Sequence, residues 1–237
     1  MENIESYLIE QAEICKIKIA PPLAEAFQIY LEQLLEWNEK INLTAVTDPK
    51  EAVMKHFIDS LYLTKFVDFS GKNLIDVGSG AGFPGIPLKL FEPSLSVTLL
   101  DSLQKRLRVL DNICQRLQIE TKQIHGRAEE CGQNLELRGK FDLVSARAVA
   151  QLPLLCEYCL PFLKRGGLFC AMKGPQPQKE IESAQHALKE LGAEVEAVKK
   201  YSLPDGEGRS LILIRQKQFM PKKYPRTHNF ANIVTRL

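Results

Sequence analysis

The residues that invite a chemical reading are four glycines within eight positions, Gly78, Gly80, Gly82 and Gly85. They sit in the run Asn73-Leu-Ile-Asp76-Val-Gly78-Ser-Gly80-Ala-Gly82-Phe83-Pro-Gly85-Ile-Pro87. This segment reads as a buried strand over 74–77, a loop, and the start of a helix. Glycine admits positive φ and lets a ligand approach the main chain closely. A helix that begins after such a loop also offers free N–H groups to an anion. The loop is therefore a candidate ligand cradle.

Two registers describe it. Gly80-Ala-Gly82-Phe-Pro-Gly85 fits G-x-G-x-x-G, and Asp101 lies near the spacing at which an acid takes a ribose hydroxyl. That pairing suits a dinucleotide and an NAD-dependent oxidoreductase. Counted from the first glycine after the strand, the pattern is instead Asp76-x-Gly78-x-Gly80-x-Gly82, with an acid inside the strand end. A carboxylate beside a pyrophosphate would repel it, whereas it would attract the ammonium and sulfonium groups of S-adenosylmethionine. The second register favours this cationic cofactor. Asp101 then accepts from both ribose hydroxyls, and Phe83 and Leu103 supply apolar walls. Ala128 and Glu129 follow the third strand, where class I methyltransferases contact adenine. The bland alternatives are a helix N-cap for Asp101 and a solvated charge for Glu129.

The elements that must position these residues are legible in the spacing. Helices are expected over 3–19 and 21–37, the second marked by Leu23, Phe27, Tyr30, Leu31, Leu34 and Leu35 and opened by Pro21-Pro22. A polar turn follows, Trp37-Asn38 through Asn42-Leu43-Thr44. Thr47-Asp48-Pro49 then starts a helix that carries His56 and Asp59. A lone histidine there reads first as a satisfied core or surface residue. From residue 73 strands alternate with helices: strands near 95–100, 121–125, 141–145, 167–172, 193–201 and 209–215, and helices at 151–163 and 176–191. The pattern predicts an α/β, mainly parallel, doubly wound sheet of seven strands. The expected organisation is an N-terminal helical cap over 1–66, a Rossmann-like domain over 67–217 and a basic tail over 218–237.

Composition narrows the class. At 45% apolar and 25% charged the chain is ordinary for a globular protein. No window approaches eighteen uninterrupted apolar residues, and the start, Met1-Glu-Asn-Ile-Glu, is acidic where a signal peptide would be basic; a cytoplasmic protein is expected. Cys156 and Cys159 form one C-x-x-C without a second ligand pair, so they read as core residues rather than a metal or redox site. The net charge of +2 hides an asymmetry: eight acids against two lysines in the first thirty-nine residues, and six basic residues with no acid from Arg215 onward. The basic end suits a polyanion.

Several segments together resemble one family, the bacterial 16S rRNA guanine-N7 methyltransferases known as RsmG or GidB. They are Trp37-Asn38 through Thr44, His56-Phe-Ile-Asp59-Ser60, Asp76 through Pro87, Leu100-Asp101-Ser102-Leu103-Gln-Lys105-Arg106, Ser145-Ala-Arg147-Ala148, Met172-Lys173-Gly174 and Gly208-Arg209. The resemblance implies a monomeric class I methyltransferase acting on the helix 18 loop of 16S rRNA, in the small subunit or an assembly intermediate. It implies cofactor contacts from Gly78, Phe83, Asp101, Ser102, Leu103, Ala128, Glu129 and Arg147. Arg147, Lys173 and Arg209 would line the side where the guanine arrives. The tail departs from the family pattern, because Tyr224-Pro225-Arg226 runs into Thr227-His228-Asn229-Phe230-Ala231. No role is carried over beyond Arg226.

Two absences agree with N7 chemistry. The place after the fourth strand reads Val144-Ser145-Ala146-Arg147-Ala148 rather than the Asn/Asp-Pro-Pro-aromatic motif of exocyclic-amine methylases, and no Pro-Cys pair is present for pyrimidine C5 attack. A helix-surface or structural role is the first reading of Asp59, with an acid near the charge that develops on the base as the alternative. Besides the oxidoreductase, the rival reading is a non-catalytic RNA-binding or assembly factor that keeps the fold.

Overall fold

The computed structural model describes residues 3–226. Helix α1 (Ile4–Ile14) begins where Asn3 caps it, its Oδ1 accepting from the amides of Glu5 at 3.0 Å and Ser6 at 3.3 Å. It is shorter than the expected 3–19, because Lys16 adopts a left-handed φ of 57° and turns Ile17 and Ile19 into the core. Helix α2 (Pro21–Asn38) carries its prolines at the first positions, as expected. Asp48 caps α3 (Pro49–Ala52) through the Glu51 amide. The same helix runs on through a π-helical turn (Val53–Ile58), α4 (Asp59–Leu61) and a 3-10 turn (Tyr62–Lys65). The π turn was invisible to periodicity.

The remaining elements are β1 (Asn73–Val77), α5 (Gly85–Phe91), β2 (Ser96–Asp101), α6 (Gln104–Arg116), β3 (Lys122–His125), α7 (Ala128–Cys131) and β4 (Phe141–Arg147). They continue with α8 (Leu152–Cys159), β5 (Leu163–Lys173), α9 (Gln178–Glu190), β6 (Ala193–Ser202) and β7 (Gly208–Gln216). The seven strands form one sheet in the order β3-β2-β1-β4-β5-β7-β6, parallel except that β7 runs antiparallel to both β5 and β6. The chain moves outward from β1 to β3, then crosses to β4 on the other side of β1. That reversal opens a crevice at the carboxyl ends of β1 and β4, where ligands bind in such sheets.

Each face of the sheet has its own apolar cluster. Alternation along β1 sends Leu74 into one and Ile75 and Val77 into the other. The first cluster includes Leu8, Phe27, Tyr30, Leu34 and Phe57, so the N-terminal helices and one face of the sheet share a continuous core. The second includes Cys156 and Cys159, both fully buried, with burial pushing their thiols far above the ordinary range. Residues 220–226 are strapped to the body. Arg138 donates to the carbonyls of Met220, Pro221 and Tyr224, and Arg226 forms a forked pair with the fully buried Glu157. Thr227–Ala231 lie outside the described residues.

One contact ties α2 to the glycine loop. The fully buried Tyr30 hydroxyl donates to the Ala81 carbonyl at 2.6 Å, and a Cβ at Gly82 would run into that same hydroxyl. Tyr30→Phe leaves a buried carbonyl without its donor, so urea unfolding should show a loss of about 1–3 kcal/mol.

Candidate cofactor cleft and its polar floor

Two adjoining cavities open at the carboxyl ends of β1, β2 and β4. The larger, about 410 Å³, is bordered by Thr44, His56, the loop from Gly78 to Ala81, Phe83, Arg106 and Arg147. The smaller, about 160 Å³, is bordered by Gly126 through Glu129 and Tyr158. Gly78, Asp101, Ser102 and Val149 border both, which makes one bent cleft. A larger cavity of about 730 Å³ lies among Asn73, Ser96 and Lys122, at the amino-terminal ends of the strands and away from the glycine loop. The switch-point rule assigns the ligand to the bent cleft.

The residues there fit an adenosyl amino acid. Gly78 has φ of +71°, and a Cβ on it would stand 2.6 Å from Val149 Cγ2, so the glycine meets both the left-handed turn and the close approach of Val149. Asp101 accepts from the Gly80 amide at 2.9 Å through one oxygen and from the Leu103 amide at 2.8 Å through the other. An ionised carboxylate has about four lone-pair sites, so two remain for a ribose diol. The N-cap position of α6 falls on Leu103, not Asp101. Leu103 itself is 41% exposed at the rim. Ala128 and Glu129 border the smaller cavity, and Glu129 is 8% exposed, so it is not a solvated charge.

Asp76 does not do what its sequence position suggested. Alternation along β1 turns it to the face covered by α5, where it is fully buried, accepting from Ser145 Oγ at 2.7 Å and the Gly85 amide at 3.3 Å. Burial pushes its carboxyl up to about 6 against those hydrogen bonds. It fixes the end of the glycine loop to β4 and makes no contact across the cleft.

Arg147, at the end of β4, knits the floor. Its Nη1 donates to the Lys55 carbonyl at 2.8 Å and reaches Asp59 Oδ2 at 3.4 Å, its Nη2 donates to His56 Nδ1 at 3.2 Å, and the guanidinium lies 5.0 Å from the Phe83 ring centroid. All three polar partners come from the π turn or the residue after it. Such turns widen the backbone ladder and recur at functional sites. His56 stacks on Phe83 with centroids 4.4 Å apart and is 8% exposed. Burial first, then Arg147, holds its imidazole down to about 3.

Asp59 lies beneath Arg147 rather than in the cleft. At 2% exposure it accepts from Tyr201 Oη at 2.8 Å and faces Arg209 Nε at 3.7 Å. Burial raises its carboxyl, and the arginines oppose the rise. It is the counter-ion of the floor. Arg209 stands behind it and pairs with Glu207 at 3.0 Å. Lys173 donates to the Ala150 carbonyl at 2.7 Å and pairs with Glu180 at 2.6 Å, while Glu180 accepts from the Leu152 amide. Lys173 therefore anchors the loop after β4. That loop begins with Ala148 at a left-handed φ of 57° and lays Val149 over Gly78. Arg147 thus meets the glycine loop and the cofactor cavities, whereas Lys173 and Arg209 support them from behind. Sequence reasoning passed over Val149 and Tyr201, which carry no motif, and it saw Thr44 only as part of a polar turn.

Two measurements test these roles. Lys173→Met releases the Ala148–Val149 loop and should weaken S-adenosylhomocysteine binding about ten-fold by titration calorimetry, the loss expected for one charge-assisted hydrogen bond. The pH test concerns His56, whose folded value of about 3 lies below its ordinary 6.5. Between these values the unfolded chain binds the proton and the folded chain does not, so the His56 contribution to stability rises with pH across that window. The stability of the wild type relative to His56→Gln, measured by chemical denaturation, should therefore fall as pH is lowered from 6.5 toward 3.

Residues 23–211 match the family model described as GidB, rRNA small subunit methyltransferase G. The chain is 45% identical over 235 residues to ribosomal RNA small subunit methyltransferase G of Bacillus cytotoxicus, covering 98% of this chain and 97% of that one. Its counterpart in Lactobacillus johnsonii is 49% identical over 87% of this chain and 88% of its own. Among solved structures, an O-methyltransferase from Bacillus cereus in complex with SAH superposes with a TM-score of 0.59 at 17% identity, covering 90% of this chain and all of that one. A ribosomal protein L11 methylase from Lactobacillus delbrueckii subsp. bulgaricus gives 0.53 at 17% identity over 69% of this chain and 79% of its own. These likenesses agree with the seven-stranded class I methyltransferase fold. By the family match and the identity with its relatives, the chain belongs to the rRNA small subunit methyltransferase G family.

Proposed function

We propose that the protein methylates N7 of a guanine in the helix 18 loop of 16S rRNA, with S-adenosylmethionine as donor. The family is one of small-subunit rRNA methyltransferases. The N7 position, the loop and the roles of individual residues are our reading. When bound, S-adenosylmethionine supplies an electrophilic methyl on sulfonium, which the N7 lone pair can take in line without first losing a proton.

The observation that carries N7 over an amine or hydroxyl acceptor is the absence of a free base among the groups that knit the floor. The imidazole lone pair of His56 is taken by Arg147, and Asp59 is held by Tyr201 and two arginines. Neither can accept a proton from the acceptor. The site's task is then alignment, which can supply much of a methyl transfer's acceleration. Asp101, Ser102 and Leu103 would hold the ribose, Ala128 and Glu129 the adenine, and Gly78 the passage between. Phe83, at 4% exposure, supports the floor from below through Arg147 and His56. Arg147 would face the entering guanine edge, with Lys173 and Arg209 acting on that edge through the loop and the counter-ion behind it.

From Arg215 onward, Arg215, Lys217, Lys223 and Arg226 pair with Glu196, Glu194, Glu190 and Glu157, so contact with rRNA phosphates would fall to exposed members of the run such as Lys222. Among the described residues no helix is long and apolar enough to cross a membrane. A monomer acting in the cytoplasm on a small-subunit particle or an assembly intermediate is the context this reading implies. Mapping N7-methylguanine in rRNA from cells with and without the gene tests activity and position together, and an unchanged map overturns the proposal. Titration calorimetry should give binding of S-adenosylhomocysteine, lost in Gly78→Ala. Binding of NADH alone would return the glycine loop to its dinucleotide register.

A further inference from the structure

Thr44 carries a donor that the fold has left one direction to point. Its Oγ1 stands 2.8 Å from His56 Nε2 and accepts from the Val46 amide at 3.1 Å. Arginine has no lone pair, so the 3.2 Å contact of Arg147 Nη2 with His56 Nδ1 makes Nδ1 the acceptor. The neutral ring then carries its proton on Nε2, which donates to Thr44. A hydroxyl oxygen has two lone pairs, and both are filled, by the His56 and Val46 donors. The turn itself is immobilised by Asn38, whose Oδ1 accepts from the amides of Leu43 and Thr44 while its Nδ2 donates to the Thr44 carbonyl. Thr44 borders the larger cavity beside the glycine loop.

We infer that Thr44 Oγ–H is a fixed hydrogen-bond donor aimed into the cleft, set by the relay Arg147 to His56 to Thr44, and that it reads an acceptor oxygen on the bound ligand. The inference rests on the proposed function and names a recognition residue that none of the cleft's motifs assigns. Two oxygens share the required chemistry. One is guanine O6, which neighbours N7 on the same base edge and is replaced by a donor amine in adenine. The other is the amino-acid carboxylate of the cofactor. Because burial keeps His56 neutral through the working pH range, the relay does not reverse there.

The test uses the full chain with Thr44→Val, which keeps the shape and removes the donor together with the acceptor of the His56 and Val46 bonds, and Thr44→Ser, which restores both. Affinities for S-adenosylhomocysteine and for 5′-methylthioadenosine, which lacks the carboxylate, are measured by calorimetry. KM is measured on small-subunit particles whose acceptor guanine is intact or replaced by 2-aminopurine, which lacks O6. If the carboxylate is read, Thr44→Val weakens S-adenosylhomocysteine about ten-fold and leaves 5′-methylthioadenosine unchanged. If O6 is read, both affinities hold, KM for guanine particles rises about ten-fold, and 2-aminopurine particles no longer distinguish Thr44→Val from wild type. In either case Thr44→Ser returns the value toward wild type. Equal loss for both adenosyl ligands, or no change in any value, overturns the inference while leaving the cofactor assignment intact. Failure of the wild type to bind S-adenosylhomocysteine would instead overturn the proposed function.

Discussion

The site depends on one guanidinium. Arg147 leaves the end of β4 and bonds to a carbonyl, an imidazole and a carboxylate presented by the helix of residues 49–65, while its guanidinium carbon lies 5.0 Å from the Phe83 ring centroid in the glycine loop. Three segments far apart in sequence are brought together at this point. A partly buried cation is tolerable only when paired and fully hydrogen-bonded, and Asp59 supplies the charge. Asp59 in turn is satisfied by Tyr201 and Arg209, so the network continues into β6 and β7.

That constraint explains two irregularities. The π turn over Val53–Ile58 directs Lys55 O and His56 to the guanidinium. Ala148, next along the chain, is in the left-handed region, a strain that persists only where surroundings enforce it. Lys173 and Glu180 hold the far side of that loop, and Val149 is thereby laid against the bare main chain of Gly78. Strain on one side of the cleft and a missing side chain on the other shape the same passage.

Much of the fold was legible. Apolar runs and alternating patterns placed strands near all seven observed ones, and the prolines and Asp48 marked helix starts, because periodicity and capping are local properties. The antiparallel entry of β7 between β5 and β6 was not legible, since strand order is set by long-range pairing. The shortening of α1 at Lys16 turned on the burial of Ile17 and Ile19, a tertiary demand that overrode a helical pattern.

At the site, residue types and spacing determined the glycine loop and the acid at the end of β2, because each answers a local requirement, positive φ and a strand end, while the arginine at the end of β4 was singled out by the family resemblance. The family resemblance supplied their chemistry. Direction was decided only in three dimensions. The pleat of β1 turned Asp76 away from the cleft, and the π turn placed Asp59 beneath Arg147. Lys173 reached the Ala150 carbonyl in the loop after β4. His56, Thr44 and Arg147 became one relay across 103 residues of sequence. A sequence records which hydrogen-bonding groups exist, but which lone pairs are already filled is a property of the packed structure.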